Sequence, residues 1–166
     1  VRTRYNDDYL WLPFAVAEYV KATGDNSFLN IKVAYSAADE LKEDEKERYL
    51  TPQKSKTKAS VYEHCKKAIE RSLSFGKHGL PLFNGGDWCD GYNKVGEKGK
   101  GESVWLAQFL TLVLTKFGEI TTLKGDTDFE EKCSRTAAEL RQAVINEGWD
   151  GQWFLRGYYD DGTRLG

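Results

Sequence analysis

The sequence predicts an all-α chain with long functional loops gathered at one end of its helices. Three observations lead there. Apolar residues recur at helical spacing in four stretches. Long, glycine-bearing segments join them. No internal repeat at a fixed period points to a solenoid or propeller. Helices connected in this way carry their site in the loops.

The first helix is read over Asp8 to Thr23. Leu10, Leu12, Phe14, Ala15, Ala17, Tyr19 and Val20 make it apolar almost all round, which predicts burial, and Gly24 supplies the stop. Pro13 falls in the first turns, where a missing N–H is tolerated. The pattern over Phe28 to Ala38 is ambiguous and is read as a short helix closed by the charged stretch Glu40 to Arg48. That stretch continues through Pro52 and the Lys-rich Lys54 to Lys58 as a solvated excursion. The second long helix runs from Ser60 to Ser74, with Val61, Cys65, Ala68, Ile69 and Leu73 on one stripe. A loop from Gly76 to Gly101 follows; a loop this long is functional or disordered, and its aromatic and Leu content argues against disorder. Glu102 to Gly118 reads as a third helix, again apolar on most faces, with Glu102 as an acid favoured in the first turn by the macrodipole. Asp126 to Asn146 is the fourth, with Phe129, Cys133, Ala137, Leu140 and Val144 on one face and Asp126 or Thr127 as N-cap. Trp149 to Leu165 returns to short aromatic segments and turns at Asp150-Gly151 and Asp161-Gly162. Two helices apolar nearly all round need cover on several sides, more than four or five helices supply.

Composition narrows the function classes. A net charge of −2 with 30% charged residues gives no field for nucleic acid or an anionic membrane. No apolar run approaches transmembrane length. Cys65, Cys89 and Cys133 are odd in number and lack a CxxC, which favours reduced thiols and a cytoplasmic location; with His64 and His78 they form no zinc cluster. The chain begins with Val, contains no Met and opens on motif-like residues, so all 166 residues are expected to be a partial catalytic domain of a larger protein. An aromatic fraction of 13%, with five Trp, suits a carbohydrate binder as well as an aromatic core.

The densest chemistry lies in Gly85-Gly86-Asp87-Trp88-Cys89-Asp90-Gly91-Tyr92-Asn93, where two carboxylates flank one tryptophan. An indole face can stack a pyranose ring, and carboxylates can bind hydroxyls or protonate a leaving oxygen. Taken alone, the same residues describe an acidic surface turn.

Read in order, several blocks resemble the catalytic domain of glycoside hydrolase family 94, formerly glycosyltransferase family 36. They are Val1-Arg2-Thr3-Arg4 with Asp7-Asp8 and Leu10-Trp11-Leu12-Pro13, then Ala22-Thr23-Gly24-Asp25, Tyr62-Glu63-His64-Cys65 and His78-Gly79-Leu80-Pro81-Leu82. Gly86-Asp87-Trp88-Cys89-Asp90-Gly91, the run Gly99 to Leu106, Trp149-Asp150-Gly151 and Asp160-Asp161-Gly162 complete the set. The resemblance implies part of an (α/α)6 barrel. It also implies inverting phosphorolysis of a β-glucan oligosaccharide or disaccharide to α-glucose 1-phosphate, with inorganic phosphate as co-substrate and no other cofactor or metal. Asp90 matches the family's general acid. Trp88 matches a residue lining the donor-sugar pocket, although an indole can equally anchor the loop from below. Arg2 and Asp8 match a pair that holds donor hydroxyls and reaches toward phosphate; Arg4 could share that role. Asp87 falls to loop scaffolding. The family's usual Asn stands here as Cys89 and its common Met as Tyr92. The Arg-Thr-Arg opening and the Tyr-Glu-His-Cys block lean toward the β-1,2-glucan branch. The alternatives are a hydrolytic α/α-barrel glycosidase and a non-catalytic carbohydrate-binding remnant. No membrane contact is expected in this segment, which should pack on the rest of its parent chain or self-associate and be inactive alone.

Overall fold

At the centre lies the helix α3, Val104–Lys124, in the computed structural model, which describes residues 2–43, 45 and 47–166 and, for Asp90, the backbone alone. Val1, Asp44, Lys46 and the Asp90 side chain lie outside that description. Leu106, Leu110, Leu114 and Phe117 of α3 are wholly buried, each burial worth about 1.5–3 kcal/mol. Gly125, at φ 67°, ends α3 and turns the chain into α4, Thr127–Glu147, so the two form a helical hairpin. The Asp126 carboxylate caps α4 by accepting the Phe129 N–H at 3.3 Å. It also takes the Tyr62 hydroxyl at 2.8 Å and pairs with Lys66 at 2.6 Å, binding α4 to α2, Val61–Ser72. Helix α1, Trp11–Thr23, lays Val16, Ala17 and Val20 into the same core. Among the described residues no helix is long and apolar enough to cross a membrane.

Several expectations change. The helix expected to stop at Gly118 continues to Lys124, because Ile120 and Thr121 remain in the core and a Cβ at Gly118 would meet nothing; the absence of side chain there is no break. Of the large apolar residues of α3 only Leu112 and Leu123 are exposed, so it is better covered than its composition predicts. Asp8 lies in a 3-10 turn, Asp7–Tyr9, ahead of α1, whose Trp11, Leu12 and Tyr19 remain exposed.

The all-α reading requires a larger correction. The segment read as a short helix is a 3-10 turn, Asn26–Asn30, followed by a strand, β1, Lys32–Ala37. The Lys-rich excursion contains its antiparallel partner β2, Gln53–Ser60, in the register Lys32↔Ser60 and Val33↔Ala59 with an irregularity between Ala34 and Ser36. Lys54, Lys56 and Lys58 alternate with Ser55, Thr57 and Ala59, a period of two carried by charge instead of hydrophobicity. The ribbon is held down by Tyr35 against His64, with ring centroids 4.0 Å apart. A second sheet joins β3, Glu102–Ser103, to β4, Gly157–Tyr158, and β4 to β5, Arg164–Leu165, all antiparallel. Gly157 is required there, since a Cβ would stand 2.2 Å from the Glu102 carbonyl oxygen. This small sheet and the isolated pair Leu82↔Glu102 bring the long loop to the N-terminal end of α3.

Candidate active site

The loop carrying Asp87, Trp88 and Asp90 is fastened from both sides by polar groups. Asn84, at φ 52°, and Gly85, at φ 116°, turn the chain sharply. Gly86 then passes so close to the Tyr5 ring that a Cβ would lie 2.8 Å from it. Asp87 is buried and both its oxygens are engaged: Oδ2 accepts the Ser103 hydroxyl at 2.6 Å and Oδ1 accepts the Cys89 N–H at 2.9 Å. Ser103 is the N-cap of α3, its Oγ accepting the Leu106 N–H at 2.9 Å. The loop is thereby tied to the start of the central helix. Asp90 opens a 3-10 turn, Asp90–Tyr92, two residues beyond Trp88. Trp88 is 67% exposed, and its ring leans on Trp11 at a centroid distance of 5.6 Å. Trp11 in turn packs on Phe109 of α3 at 4.6 Å. The indole is thus a supported, solvent-facing platform and not an anchor beneath the loop.

Glu102, which holds the segment upstream of the loop, is not a first-turn acid of the helix; it lies in β3 and is buried. Its Oε1 accepts the N–H of His78 at 3.0 Å and of Leu80 at 3.2 Å, while Oε2 holds His78 Nδ1 at 2.5 Å. Tyr158 stacks on the imidazole at 3.8 Å. Downstream, the Asp160 carboxylate receives the N–H groups of Lys98, Lys100 and Gly101 at 2.8–3.0 Å. Buried Asn6 donates to the carbonyls of Ser72 and Leu82 and to Ser74 Oγ, each at 3.3 Å, joining the N-terminal segment to the end of α2 and the start of the long loop. None of these partners was foreseen from the sequence.

The predicted site residues fall into two groups. Arg2 and Arg4 line a cleft of about 1020 Å³ together with Asn84, Gly85 and Asn93. Their guanidiniums hold the β1–β2 connection, Arg2 donating to the Ala38 carbonyl at 2.8 Å and Arg4 to that of Lys42 at 2.5 Å. Arg2 also pairs with Arg48 backbone to backbone, and Glu40, Glu43, Glu45 and Glu47 face the same cleft. Asp8 lies outside its lining and accepts the Thr3 hydroxyl at 2.6 Å; among the described residues no ion pair joins it to an arginine. Trp88 also lies outside the lining, on the Trp11 side.

Asp7, adjacent to Asp8, carries the perturbed chemistry. It is 3% exposed; Oδ2 accepts the Trp11 indole N–H at 3.4 Å and, among the described residues, Oδ1 has no hydrogen-bond partner. Burial, with smaller contributions from Asp8 and Asp87, raises its pKa to about 6. Its one signal in the sequence is its place in the Asp7-Asp8 pair.

Comparison with known proteins identifies the family of the sequence. Residues 1–166 match the family described as the glycosyl hydrolase 94 superfamily, catalytic domain. The chain is 40% identical over 167 residues to the cyclic beta-(1,2)-glucan synthase NdvB of Rhizobium meliloti (strain 1021), covering 100% of this chain and 6% of that protein. It is 33% identical to a solabiose phosphorylase of Paenibacillus borealis and 34% to a cellobionic acid phosphorylase of Neurospora crassa, in both cases over 98% of this chain. It spans 19% and 18% of those two relatives. With the match running the whole length of the sequence, the chain belongs to the glycosyl hydrolase 94 superfamily as catalytic-domain sequence.

Proposed function

We propose that this chain supplies the acid-bearing loop and one wall of the donor-sugar pocket in an inverting glycoside phosphorylase acting on β-glucosides. Asp90 protonates the glycosidic oxygen while phosphate attacks the anomeric carbon from the opposite face, giving α-glucose 1-phosphate. Phosphate is already an anionic nucleophile, so one acid suffices. Trp88 receives the sugar face. Arg2, Arg4 and Asp8 act as donor-sugar and phosphate contacts, the two guanidiniums exchanging the neutral carbonyls of Ala38 and Lys42 for anionic phosphate oxygens, which form stronger bonds.

The observation that carries this reading is the tethering of Asp87 to the α3 cap, with Trp88 presented to solvent on the next residue. It supports different roles for the two carboxylates of the motif. Asp87 is buried with both oxygens occupied by hydrogen-bond donors and is unsuited to deliver a proton to a substrate. Asp90 stands beyond the platform, at the head of the next turn. The phosphorylases among the relatives support phosphate as nucleophile. In the full-length protein, Asp90→Asn should lower kcat on an unactivated β-glucoside by about 10²–10⁴-fold while sugar binding is retained. Wild-type kcat in that variant would refute the assignment of the acid. Glucose released at an unchanged rate with phosphate omitted would instead favour the hydrolytic alternative.

A further inference from the structure

Of the aromatic side chains, Trp153 has no part in the loop just described, yet it is 73% exposed. Trp149 and Phe154 beside it are also exposed, and their rings meet edge to face at 5.0 Å. Large apolar surface displayed this openly marks a binding surface when the backbone beneath it is rigid. Here it is rigid. The Asp150 carboxylate accepts the N–H groups of Gln152 and Trp153, both at 2.7 Å, and the Asp150 N–H returns to the Trp153 carbonyl at 3.1 Å. Trp149 and Phe154 form a β-bridge, and the Leu155 N–H bonds the Gly148 carbonyl at 2.8 Å.

The turn shares its foundation with the Trp88 loop. The Val104 N–H bonds the Arg156 carbonyl at 3.2 Å, and a Cβ on Gly148 would lie 3.0 Å from Val104. Its neighbour Ser103 holds Asp87. Both aromatic displays are therefore mounted on the first residues of α3.

We propose that the turn Trp149–Phe154 is a second sugar-binding platform, taking glucosyl units of a β-glucan oligosaccharide beyond the two that flank the broken linkage. Trp153 supplies the stacking face, and the Asp150 carboxylate, hydrogen-bonded to the Trp153 N–H, supplies a polar group beside it. A dry protein interface or a membrane is the less suitable occupant. Hydrogen bonds from the backbone of Trp153 and then Gln152 hold the Asp150 carboxyl below its usual range, so it stays ionised beside the rings. A carbohydrate offers apolar faces and hydroxyls together and leaves that charge hydrated. The substrate class rests on the phosphorylase reading above; the platform itself can be tested without catalysis.

The test uses the full-length protein, with Trp153→Leu and Trp153→Tyr compared by calorimetric binding of a β-glucan disaccharide and of longer oligosaccharides. Phosphorolysis of the same series is measured in parallel. Leu keeps an apolar side chain but removes the flat face; Tyr restores a ring. Trp153→Leu should weaken binding of the longer oligosaccharides by about 3–10-fold, leave the disaccharide unchanged, and be largely rescued in Trp153→Tyr. Equal weakening for all lengths, or no change at any length, would overturn the platform. So would misfolding or a large fall in melting temperature of Trp153→Leu, which would assign the ring to packing within the parent. If the wild type binds long oligosaccharides but shows no phosphate-dependent cleavage, the activity reading fails and the platform stands.

Discussion

Removing one oxygen atom, in Ser103→Ala, should both loosen the candidate site and weaken the central helix. Ser103 Oγ accepts the Leu106 N–H as the α3 cap and donates to Asp87 Oδ2 at 2.6 Å, and both side chains are buried. Loss of an N-cap costs about 1 kcal/mol. Leaving a buried carboxylate oxygen without its donor costs about 1–3 kcal/mol more. The substitution should therefore destabilise by about 2–4 kcal/mol, a large effect for one hydroxyl. Urea unfolding followed by tryptophan fluorescence measures it, with Asp87→Ala and the double variant completing a cycle. The coupling between the two positions should be about 1–3 kcal/mol. A cost below about 0.5 kcal/mol with no coupling would show that the loop is not held through this hydrogen bond.

Three further outcomes follow from the same region. Asp7 keeps its proton in the folded chain up to about pH 6, against an ordinary value of 3.8, so its contribution to stability is full below 3.8 and is lost as pH rises through 6. Asp7→Asn should flatten that slope and gain about 1–2 kcal/mol at neutral pH, after allowance for solvent screening; equal slopes in both proteins would refute it. Gly86→Ala drives a methyl group against the Tyr5 ring and should cost about 1–3 kcal/mol, part of it recovered when Tyr5→Leu is added; a neutral Gly86→Ala would contradict the close approach. Asp160→Ala strands the amides of Lys98, Lys100 and Gly101, so limited trypsin digestion at those lysines should accelerate, and an unchanged rate would exclude the clamp.

Helix positions were legible wherever a local chemical signal marked an end. Ser60 and Asp126 cap α2 and α4, and Gly24 ends α1 in the left-handed region. Gly118 misled because glycine stops a helix only when the chain must leave the helical region, and the apolar residues after it kept α3 in the core. The β1–β2 ribbon was missed because its period-two pattern is written in lysines, and a hydrophobic reading sees only a charged run. In the candidate site, the motif from Asp87 to Asp90 was visible as a sequence, but its supports were not. Asn6 finds its partners 66 to 76 residues away and Asp160 its amides 59 to 62 residues away. Contacts at that separation leave no periodicity to read.

Carboxylates in this region show why residue type alone could not settle roles. Asp87, Glu102 and Asp160 each hold together part of a glycine-rich segment with no long helix or strand of its own to pair its backbone. Each does so by accepting hydrogen bonds from nearby donors, chiefly backbone N–H groups, a task for which two acceptor oxygens on one short side chain are well suited. A carboxylate so occupied is fixed in place with its oxygens committed to donors of the chain itself, the opposite of what proton donation to a sugar requires. Acids gathered around a sugar-site motif need not all be chemical participants. The loop needs its scaffold acids in order to hold Trp88 outward and to set the turn that begins at Asp90, so the chemistry proposed for one carboxylate depends on the immobility of the others. Replacing Asp87 should on this argument depress kcat through the position of Asp90 while leaving the pH profile of the reaction in place. Replacing Asp90 instead removes the alkaline limb itself, the fall in rate as the general acid loses its proton. A pH–rate profile that lost its alkaline limb in Asp87→Asn would reverse the two assignments.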